Sequence, residues 1–434
     1  MVNESPSAAG MPDRAGVDAG AVRRVVLSAA LGNAFEWFDF MVFGFFSAFV
    51  VAAYFHAESA FASGLLATST FAVAFFFRPV GGVLLGMFAD RAGRRPALAL
   101  MIGMMGLATL VIGATPGYAA IGMAAPVLVV LARVLQGLSI GGEFAGSTSL
   151  MVEVAPAGRK MLYGSLQSST QALAIASAAL LGYGLARLMT PQALSAWGWR
   201  VPFLVGALVA PLAYYIRRNL IESPLFSRPK APVPFARSLR GNGKALFAGF
   251  GVVVVTTASN YTWVIYMPMF VVEHLGLSFS DSLLGMFACG IVVALLCPVA
   301  GALADRIGAN RVFVAGVVSF TAITWPLLAY VLAAPSLERL LVAQLCVSVT
   351  ASLCWGASPG MLAGMFRTAV RSTGIAISYN LGVLAFGGLA PLTLTMLVKL
   401  TANPMMPAYY LTLSAAIALA ALFVGRTGNA ARRA

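Results

Sequence analysis

The sequence predicts an all-α integral membrane protein with twelve transmembrane helices, in which the second half of the chain repeats the first. Hydrophobic residues make up 60% of the 434 residues and charged residues only 10%, whereas a soluble domain has about one quarter charged residues. Apolar stretches long enough to cross a bilayer as helices, about 20 residues each, recur along the chain. A string of Gly, Asp and Arg that starts at Gly86 returns 215 residues later at Gly301, close to half the chain length.

Twelve apolar stretches give the helix positions in chain order. In the first half they lie at 24–53, 62–88, 96–114, 121–149, 160–187 and 199–216. In the second half they lie at 245–272, 281–303, 311–333, 338–364, 370–398 and 407–425. The two repeated strings therefore fall between helices two and three and between helices eight and nine. Glycine permits a tight turn there, and the charges stay outside the hydrocarbon.

The segments outside the helices are predicted to be tails and a linker. Residues 1–20 are rich in Gly, Ala, Pro and Asp, so we expect a disordered cytoplasmic tail rather than a cleaved signal peptide. Residues 217–244 contain four prolines among their Arg and Lys residues, and they are predicted to link residues 21–216 to residues 245–425. This linker has no predicted role beyond connection. Residues 426–434 form a second short tail.

The positions of the 28 Lys and Arg residues predict the topology of the chain. Of these, 22 lie in the tails or in loops on the same side of the membrane as the tails, and 4 lie on the other side. Because cytoplasmic loops carry an excess of cations, both termini are predicted to face the cytoplasm. The net charge of +14 is then a topology signal, and no nucleic-acid partner is needed to explain it.

The sequence gives no sign of an enzyme or of a cofactor. The cysteines at 289, 297, 346 and 354 all lie in apolar stretches, so we interpret them as small packing residues rather than as a disulfide or metal framework. We find no P-loop, nucleophile elbow or cluster of metal ligands. We expect a chain that needs no cofactor and no metal.

Two acids in helix one are candidates for carrying protons. Glu36 and Asp39 are spaced by three residues and share one helical face. A charge at the middle of a membrane helix costs at least about 2.5 kcal/mol, so each needs a reason. Desolvation favours the protonated form, whereas a nearby Arg favours the charged form, and this balance suits a proton carrier. The alternative is that one acid is a permanent ion-pair partner of a buried Arg. His56 and His274 lie at loop edges and are poor candidates.

Helices two and four carry the two remaining cations within the membrane. Arg78 could either extend towards the interface or face a central cavity. Arg133 lies near the middle of helix four, with Glu143 about three turns deeper as a third candidate proton site. Because a guanidinium presents a planar fork that matches a carboxylate, Arg133 is the first choice for binding an organic acid, with Arg78 beside it. The alternative for Arg133 is a structural pair with an acid of helix one.

Several uncharged polar residues within the helices could contact a polyoxygenated ligand. Amide and hydroxyl groups both donate and accept hydrogen bonds. The same groups also join helices to one another inside membranes, and this second interpretation stays open for each of them. The candidates are Gln167 and Gln171 in helix five, Asn260, Tyr261 and Tyr266 in helix seven, and Tyr379 and Asn380 in helix eleven.

The repeated strings resemble the signature loops of the major facilitator superfamily. The resemblance implies two pseudo-symmetric six-helix bundles that rock about a central site, with the two loops as gates. The second loop ends Gly-Ala-Asn-Arg instead of carrying a double basic pair, so its latch is expected to be softer. The gate residues implied are Gly86, Asp90, Arg91, Gly93, Arg94 and Arg95 in the first loop, and Gly301, Asp305, Arg306, Gly308 and Arg311 in the second.

Three further motifs resemble the metabolite:proton symporter family of bacteria within that superfamily. They are E-W-F-D-F at 36–40, R-P-V-G-G at 78–82 and R-V-L-Q-G-L-S-I-G-G-E at 133–143. The resemblance implies a multi-pass protein of the bacterial inner membrane that takes up citrate, tricarballylate, 2-oxoglutarate, shikimate, or proline and betaine with protons. Within the family, residues 256–268, 323–326 and 397–401 look most like citrate-proton symporters.

These observations together predict a proton-coupled importer of a small organic carboxylate, with citrate or another tricarboxylate as the first choice. Asp39, with Glu36 or Glu143, would bind protons, and Arg133 and Arg78 would bind the substrate. The expected partners are the organic anion, protons and the lipid bilayer, and the chain is expected to be a monomer. The alternatives are a symporter of 2-oxoglutarate or shikimate, a symporter of a zwitterion such as proline or betaine, and, more remotely, a passive pore or receptor.

Overall fold

A computed structural model describes residues 19–56, 59–92, 94–141, 143–219, 242–367 and 370–430 of the chain. Within these residues the regular secondary structure consists of helices. Ten helices are long and apolar enough to cross a membrane, and two shorter apolar helices, Ala99–Ala114 and Gly198–Pro211, lie where helices three and six were predicted. The prediction of an all-α membrane fold of twelve helices is therefore confirmed.

The first half contains helices one to six. Their bounds are Ala19–Tyr54, Ala60–Ala92, Arg94–Ala114, Ala124–Ile140 continued by Glu143–Glu153, Lys160–Leu188, and Val201–Asn219. Short helices at Tyr118–Ile121 and Pro191–Ala196 and a 3₁₀ turn at Gly198–Arg200 lie in the connections.

The second half contains helices seven to twelve. Helix seven runs from Gly243–Asn260 through a π-helical segment at Tyr261–Tyr266 into Met267–Leu275, and helix eleven runs from Arg371–Gly382 through a π-helical segment at Val383–Gly388 into Ala390–Thr401. Helices eight, nine, ten and twelve are Phe279–Ile307, Ala309–Ala333, Leu337–Met365 and Met406–Ala430.

The predicted bounds differ from the observed ones mainly at helix ends and in irregular turns. Helix one begins five residues before its predicted start, and helix twelve continues five residues past its predicted end. Most of the predicted tail at 1–20, the predicted linker from 220 to 241, and residues 431–434 of the second tail lie outside the described residues. The π-helical segments were not predicted, because a single extra residue in a turn leaves the apolar pattern almost unchanged.

Serine caps and glycine turns determine where several helices begin and end. The Ser278 hydroxyl accepts a hydrogen bond from the backbone N–H of Asp281, and the Ser336 hydroxyl accepts one from Arg339. These bonds satisfy free N–H groups in the first turns of helices eight and ten. Gly276 ends helix seven with a φ of 64°, a left-handed conformation that glycine adopts without strain.

Helices two and four cross at a distance that only glycine allows. A Cβ atom at Gly81 would overlap the backbone of Leu138, and a Cβ atom at Gly137 would overlap the carbonyl of Ala74. Within lipid no hydrophobic driving force brings helices together, so their association depends on close packing. Small residues at such crossings let the two backbones pack directly against each other. The crossing fixes Arg78, three residues before Gly81, close to Arg133 of helix four.

The two halves contact each other at the end of the bundle where helix one begins and helix twelve ends, here called the terminal end. The Asp305 carboxylate of helix eight accepts hydrogen bonds from the backbone N–H groups of Met161 and Leu162 of helix five, both at 2.9 Å. Arg371 of helix eleven donates to Glu153 of helix four at 3.1 Å. Charged contacts therefore join the halves at this end.

Apolar contacts join the halves at the opposite end. Gly182 of helix five packs against Leu283 of helix eight, so that a Cβ atom at Gly182 would lie 2.9 Å from its Cδ1. Phe46 of helix one meets the ring of Phe279 edge-on, at 5.6 Å between centroids. The halves are thus in contact at both ends of the bundle in this conformation.

Candidate functional site

Asp39 is fully buried inside the first half, between helices one, three and six. Its Oδ2 accepts a hydrogen bond from the Thr109 hydroxyl at 3.0 Å. Its Oδ1 accepts none from the described residues and points at Gly206, where a Cβ atom would overlap it. Glycine at 206 thus makes room for the carboxyl group, which is held by one neutral donor and has no direct ion pair with the described cations.

A chain of hydrogen bonds connects Asp39 to Arg133. Arg133 Nη1 donates to Gln136 Oε1 at 2.7 Å, and Gln136 Nε2 donates to the Thr109 hydroxyl at 3.1 Å. Thr109 then donates to Asp39. Because each group donates in the same direction, the chain carries the influence of the guanidinium to the carboxylate across helices four, three and one.

The remaining contacts of Arg133 also lie within the first half. Its Nη2 donates to the carbonyl of Phe71 at 2.8 Å, and its Nε donates to the carbonyl of Thr70 at 3.3 Å. Its Cζ lies 3.9 Å from the centre of the Phe43 ring. Arg133 has no exposed surface, so it does not face lipid, and it lies within electrostatic range of Tyr261 of helix seven. Its predicted contact with a substrate stays a prediction.

Arg78 lies at the boundary between the two halves. Its Cζ is 4.9 Å from the centre of the Phe40 ring and 4.5 Å from that of Phe75, and the residue is 2% exposed. It lies within electrostatic range of Tyr261 of helix seven and Tyr379 of helix eleven. Its Nε has no hydrogen-bond partner among the described residues. Arg78 is therefore a buried cation with spare donor capacity between the halves.

Tyr261 is enclosed by aromatic rings of the first half. Its ring lies 5.3 Å from Phe75 and 6.3 Å from Trp37, centroid to centroid. Gly387 of helix eleven leaves room for the ring, since a Cβ atom there would lie 3.0 Å from its Cε2. The Tyr261 hydroxyl has no hydrogen-bond partner among the described residues. The π-helical segment of helix seven begins at Tyr261, and Tyr261 lies within electrostatic range of Arg78.

Glu36 and Glu143 line one small cavity inside the first half. The cavity has a volume of about 10 Å³ and is also lined by Met101, Met105 and Ser139, and this is about the space of one water-sized probe. Glu36 is also within electrostatic range of Tyr261. The three predicted proton sites therefore divide between this cavity and the enclosed position of Asp39, one helical turn further along helix one.

Gln167 and Gln171 bind to helix one. Gln167 Nε2 donates to Asn33 Oδ1 at 2.8 Å, and Gln171 Nε2 donates to the same oxygen at 3.3 Å. Asn33 Nδ2 in turn donates to the Thr170 hydroxyl at 2.8 Å. These contacts match the helix-to-helix interpretation. Gln167 Oε1 has no partner among the described residues, so one acceptor of this cluster is still available.

The predicted polar residues of helices seven and eleven fall into two groups. Asn260 Oδ1 and the Tyr266 hydroxyl have no hydrogen-bond partner among the described residues. By contrast, Tyr379 stacks on Phe144 of helix four with a centroid distance of 3.7 Å and an interplanar angle of 5°. Asn380 Nδ2 donates to the carbonyl of Gly141 at 3.1 Å. Tyr379 and Asn380 therefore help to join the halves in this conformation.

Only part of the predicted gate can be placed. In the second loop, Gly301 packs closely on Met161 and Asp305 caps helix five, whereas Arg306, Gly308 and Arg311 are exposed. Gly86 has open space around it. Gly93 and the side chains of Asp90, Arg91, Arg94 and Arg95 lie outside the described part of the structure.

Several residues of the site were not predicted from the sequence. Among them is Trp355 of helix ten, whose indole N–H donates to Ser259 of helix seven at 2.9 Å and whose carbonyl accepts from Ser168 of helix five at 2.8 Å. The feature of the sequence that could have indicated Trp355 is the presence of a tryptophan in the middle of a membrane helix. Thr109 and Gln136 gave weaker signals, although Gln136 follows Arg133 by three residues and so shares its face. Asn33 and Phe144 complete this group.

Comparison with known proteins identifies the family. The sequence profile of the Major Facilitator Superfamily matches residues 29–337. The structure of the proton:xylose symporter XylE bound to 6-bromo-6-deoxy-D-glucose has a TM-score of 0.76, with 94% of this chain and 96% of that chain covered at 20% identity. At that identity the similarity concerns the fold alone.

Sequence relatives are closer. The citrate-proton symporter of Salmonella typhi is 38% identical over 400 residues, which are 91% of this chain and 92% of the relative. The citrate-proton symporter of Klebsiella pneumoniae is 35% identical over 91% of this chain and 90% of the relative. A putative proline/betaine transporter of Staphylococcus aureus (strain COL) is also 35% identical, over 91% of this chain and 86% of the relative. With the profile match and the fold, these relatives show that the chain belongs to the major facilitator superfamily.

Proposed function

We propose that the chain imports citrate or another small tricarboxylate together with protons, by alternating access. The observation that carries this proposal is the position of Arg78, a buried guanidinium between the halves with an unpartnered Nε and two tyrosine side chains nearby. A guanidinium fork and phenol donors suit a carboxylate. Two of the relatives bear the name citrate-proton symporter, which supports the choice of substrate.

Proton coupling gives the anion a way to enter against an inside-negative potential. Each negative charge that enters costs about 2.3 kcal/mol per 100 mV, and each proton that accompanies it offsets that cost. We infer that the termini face the cytoplasm, because Lys and Arg are concentrated on their side of the chain. We also infer a monomer in the inner membrane of a bacterium.

Asp39 is the proposed proton site. When its carboxyl group is neutral, Thr109, Gln136 and Arg133 lose the negative charge at the end of their hydrogen-bond chain. Arg133 also binds carbonyls of Thr70 and Phe71 in helix two, and Arg78 lies about two turns further along that helix. Protonation of Asp39 therefore influences Arg78, the residue proposed to bind the substrate, through helix two. Glu36 and Glu143 are the proposed route between Asp39 and the terminal end.

The contacts at the two ends are the proposed gates. At the terminal end, the gate consists of the Asp305 cap and the pair of Glu153 and Arg371. At the opposite end, the packing of Gly182 on Leu283 has the same role. Alternating access requires that one set of contacts separates while the other stays closed. The present conformation, with both sets made, corresponds to a state between the two open ones.

A zwitterion such as proline or betaine is a second candidate substrate. The aromatic rings of Trp37, Phe75 and Tyr261 lie close together near Arg78, and aromatic faces attract quaternary ammonium groups. The putative proline/betaine transporter among the relatives fits this possibility. In that case Arg78 would bind the single carboxylate and the rings would contact the cation.

Uptake into proteoliposomes tests the proposal. The purified chain would be reconstituted, an inward proton gradient imposed, and uptake of labelled citrate, tricarballylate, 2-oxoglutarate, shikimate, proline and betaine measured. We expect citrate or tricarballylate to accumulate above its outside concentration and an uncoupler to abolish that accumulation. Accumulation of proline or betaine alone would establish the second candidate. Uptake that the uncoupler leaves unchanged would indicate a passive pore.

A further inference from the structure

The ring of Phe75 contacts Arg78 in its own helix and also contacts the second half. Phe75 precedes Arg78 by three residues in helix two, so the two side chains share a face of the helix. The Arg78 Cζ atom is 4.5 Å from the centre of the Phe75 ring and 4.9 Å from that of Phe40 in helix one. Phe75 is 1% exposed and Arg78 is 2% exposed. The guanidinium therefore contacts two buried aromatic rings, and the attraction of a cation to such rings is stronger away from water.

Two contacts with the second half hold the Phe75 ring in place. Gly388 of helix eleven packs directly on it, since a Cβ atom at Gly388 would overlap Cγ of Phe75. Tyr261 of helix seven meets the same ring edge-on, with 5.3 Å between centroids and an interplanar angle of 81°. Gly388 ends the π-helical segment of helix eleven, and Tyr261 begins that of helix seven. The position of Phe75 therefore depends on how the second half packs against helix two.

The two buried arginines are held in different ways. Arg133 donates to three acceptors at 2.7–3.3 Å. At Arg78, by contrast, Nε has no hydrogen-bond partner among the described residues. A guanidinium binds a carboxylate through two parallel hydrogen bonds that lie in one plane, so the orientation of that plane affects the affinity. At Arg78 the contacts with aromatic rings restrain the plane, as hydrogen-bond acceptors do at Arg133.

We propose that Phe75 is a positioning residue, whose ring holds the guanidinium of Arg78 in the plane that binds a substrate carboxylate while the ring packs on Gly388. The inference rests on the proposed function, in which Arg78 binds the substrate. Phe75 acts through Arg78 and need not contact the substrate itself. When the halves separate at the opposite end, the ring loses Gly388 and Tyr261, and Arg78 loses a restraint. Substrate binding therefore favours conformations in which that end is closed.

Substitutions of Phe75 test this role through transport kinetics. The KM and the maximal rate for labelled citrate would be measured in proteoliposomes of the full chain under an inward proton gradient. We expect Phe75→Leu to raise the KM about 10-fold, because it removes the aromatic face at Arg78. Phe75→Tyr keeps that face and should keep the KM close to that of the wild type. Phe320→Leu is the matched control, because Phe320 of helix nine is equally buried and is not one of the rings that contact Arg78.

Combined substitutions test whether Phe75 acts through Gly388 and Arg78. Gly388→Ala should also raise the KM, because the added Cβ displaces the Phe75 ring. Gly184→Ala is its control, since the space around Gly184 is open. Phe75→Leu should have little further effect on the KM in a chain that already carries Arg78→Lys, because the planar group that the ring orients is gone. A role of Phe75 in packing alone would leave its effect unchanged in that background.

Several outcomes would overturn the positioning role and leave the proposed function in place. They are an unchanged KM in Phe75→Leu, an equal rise in Phe75→Leu and Phe75→Tyr, and an equal rise in Phe320→Leu. The unfolding midpoint of each variant in detergent shows whether it is folded. Gly388→Ala, which leaves the Phe75 side chain present, carries the test if Phe75→Leu does not fold.

The wild type separates this inference from the choice of substrate. If the wild type accumulates labelled proline and no citrate, the tricarboxylate proposal fails. The same variants would then be measured with labelled proline, and the same rise in KM for Phe75→Leu is expected, because proline also presents a carboxylate to Arg78. A wild type that takes up neither compound would overturn the proposed function and this inference with it.

Discussion

Asp305 of helix eight caps helix five in the other half, where its Oδ1 lies 2.9 Å from the backbone nitrogen of Met161. Its Oδ2 binds the next N–H group, that of Leu162, at the same distance. A carboxylate at a helix amino terminus accepts hydrogen bonds from free N–H groups and is attracted by the positive end of the helix dipole. The attraction is worth about 0.3–1 kcal/mol at exposed sites and up to about 2 kcal/mol at partly buried ones. This contact uses backbone donors of helix five, so it does not depend on the basic pair that the second loop lacks.

Asp305→Asn is expected to open the terminal end more often. The amide has no charge to set against the helix dipole and offers one acceptor oxygen where the carboxylate offers two. Spin labels at Arg159 and Arg367, which are exposed on the two halves at that end, should report a larger population of long distances. Asp281→Asn is the matched control, because Asp281 lies in the first turn of the same helix at the opposite end. Equal distance distributions in both variants would show that the cap does not bias the gate.

The pair of Glu153 and Arg371 should behave as a reversible contact between the halves. Glu153→Arg places two cations together and is expected to open the terminal end, whereas adding Arg371→Glu restores the attraction. The side chains are 25% and 16% exposed, so we expect a coupling energy of about 0.5–1 kcal/mol in a double-mutant cycle. The free energies would come from the open and closed populations of the same spin labels. Additive effects of the two substitutions would mean that the pair contributes nothing to closure.

Asp39→Asn is expected to abolish accumulation driven by a proton gradient and to leave exchange of labelled for unlabelled substrate. Asparagine can still accept the Thr109 hydrogen bond at nearly the same volume, so folding should be retained, but it cannot bind and release a proton. Accumulation and counterflow would be measured on the same proteoliposomes. Glu338→Gln, in the exposed first turn of helix ten, serves as the control. Undiminished accumulation in Asp39→Asn would remove Asp39 from the mechanism.

The sequence predicted the helices and the buried charges because both follow from the free-energy cost of placing polar or charged groups in hydrocarbon. A span needs about 20 apolar residues whatever its neighbours are, and a charged residue such as Asp39 or Arg133 is excluded from lipid wherever the bundle places it. The partners of those charges could not be predicted. Thr109 and Gln136 are ordinary helix residues in the sequence, and they become a connection only when three helices pack together.

Contacts between the halves were the least predictable part of the site. The second loop resembled a gate, but nothing in the sequence indicated that Asp305 would meet the first turn of helix five. The π-helical segment that begins at Tyr261 was also not predicted, since one added residue in a turn rotates the following side chains without altering composition. Consequently the sequence indicated that Tyr261 is polar and buried, whereas the structure shows its position beside Arg78.

The two buried arginines should respond differently to lysine. At Arg78, lysine keeps the charge but loses the planar fork, and an Arg-to-carboxylate contact is worth about 1.5–3 kcal/mol. If Arg78 binds the substrate, the KM for citrate should rise about 10-fold or more. Arg187→Lys is the control, because Arg187 lies in the last turn of helix five. An unchanged KM in Arg78→Lys would exclude Arg78 as the main substrate contact.

At Arg133, lysine cannot reach the three acceptors that the guanidinium binds, which are Gln136 Oε1 and the carbonyls of Thr70 and Phe71. The connection to Asp39 and to helix two should therefore weaken. Since these contacts lie inside the first half, we expect Arg133→Lys to lower the accumulation ratio and to leave the KM for citrate close to that of the wild type. Measuring KM and the accumulation ratio for both arginine variants separates the two roles. A large rise in KM for Arg133→Lys, with accumulation intact, would restore Arg133 as the residue that binds the substrate and would leave Arg78 as a structural cation.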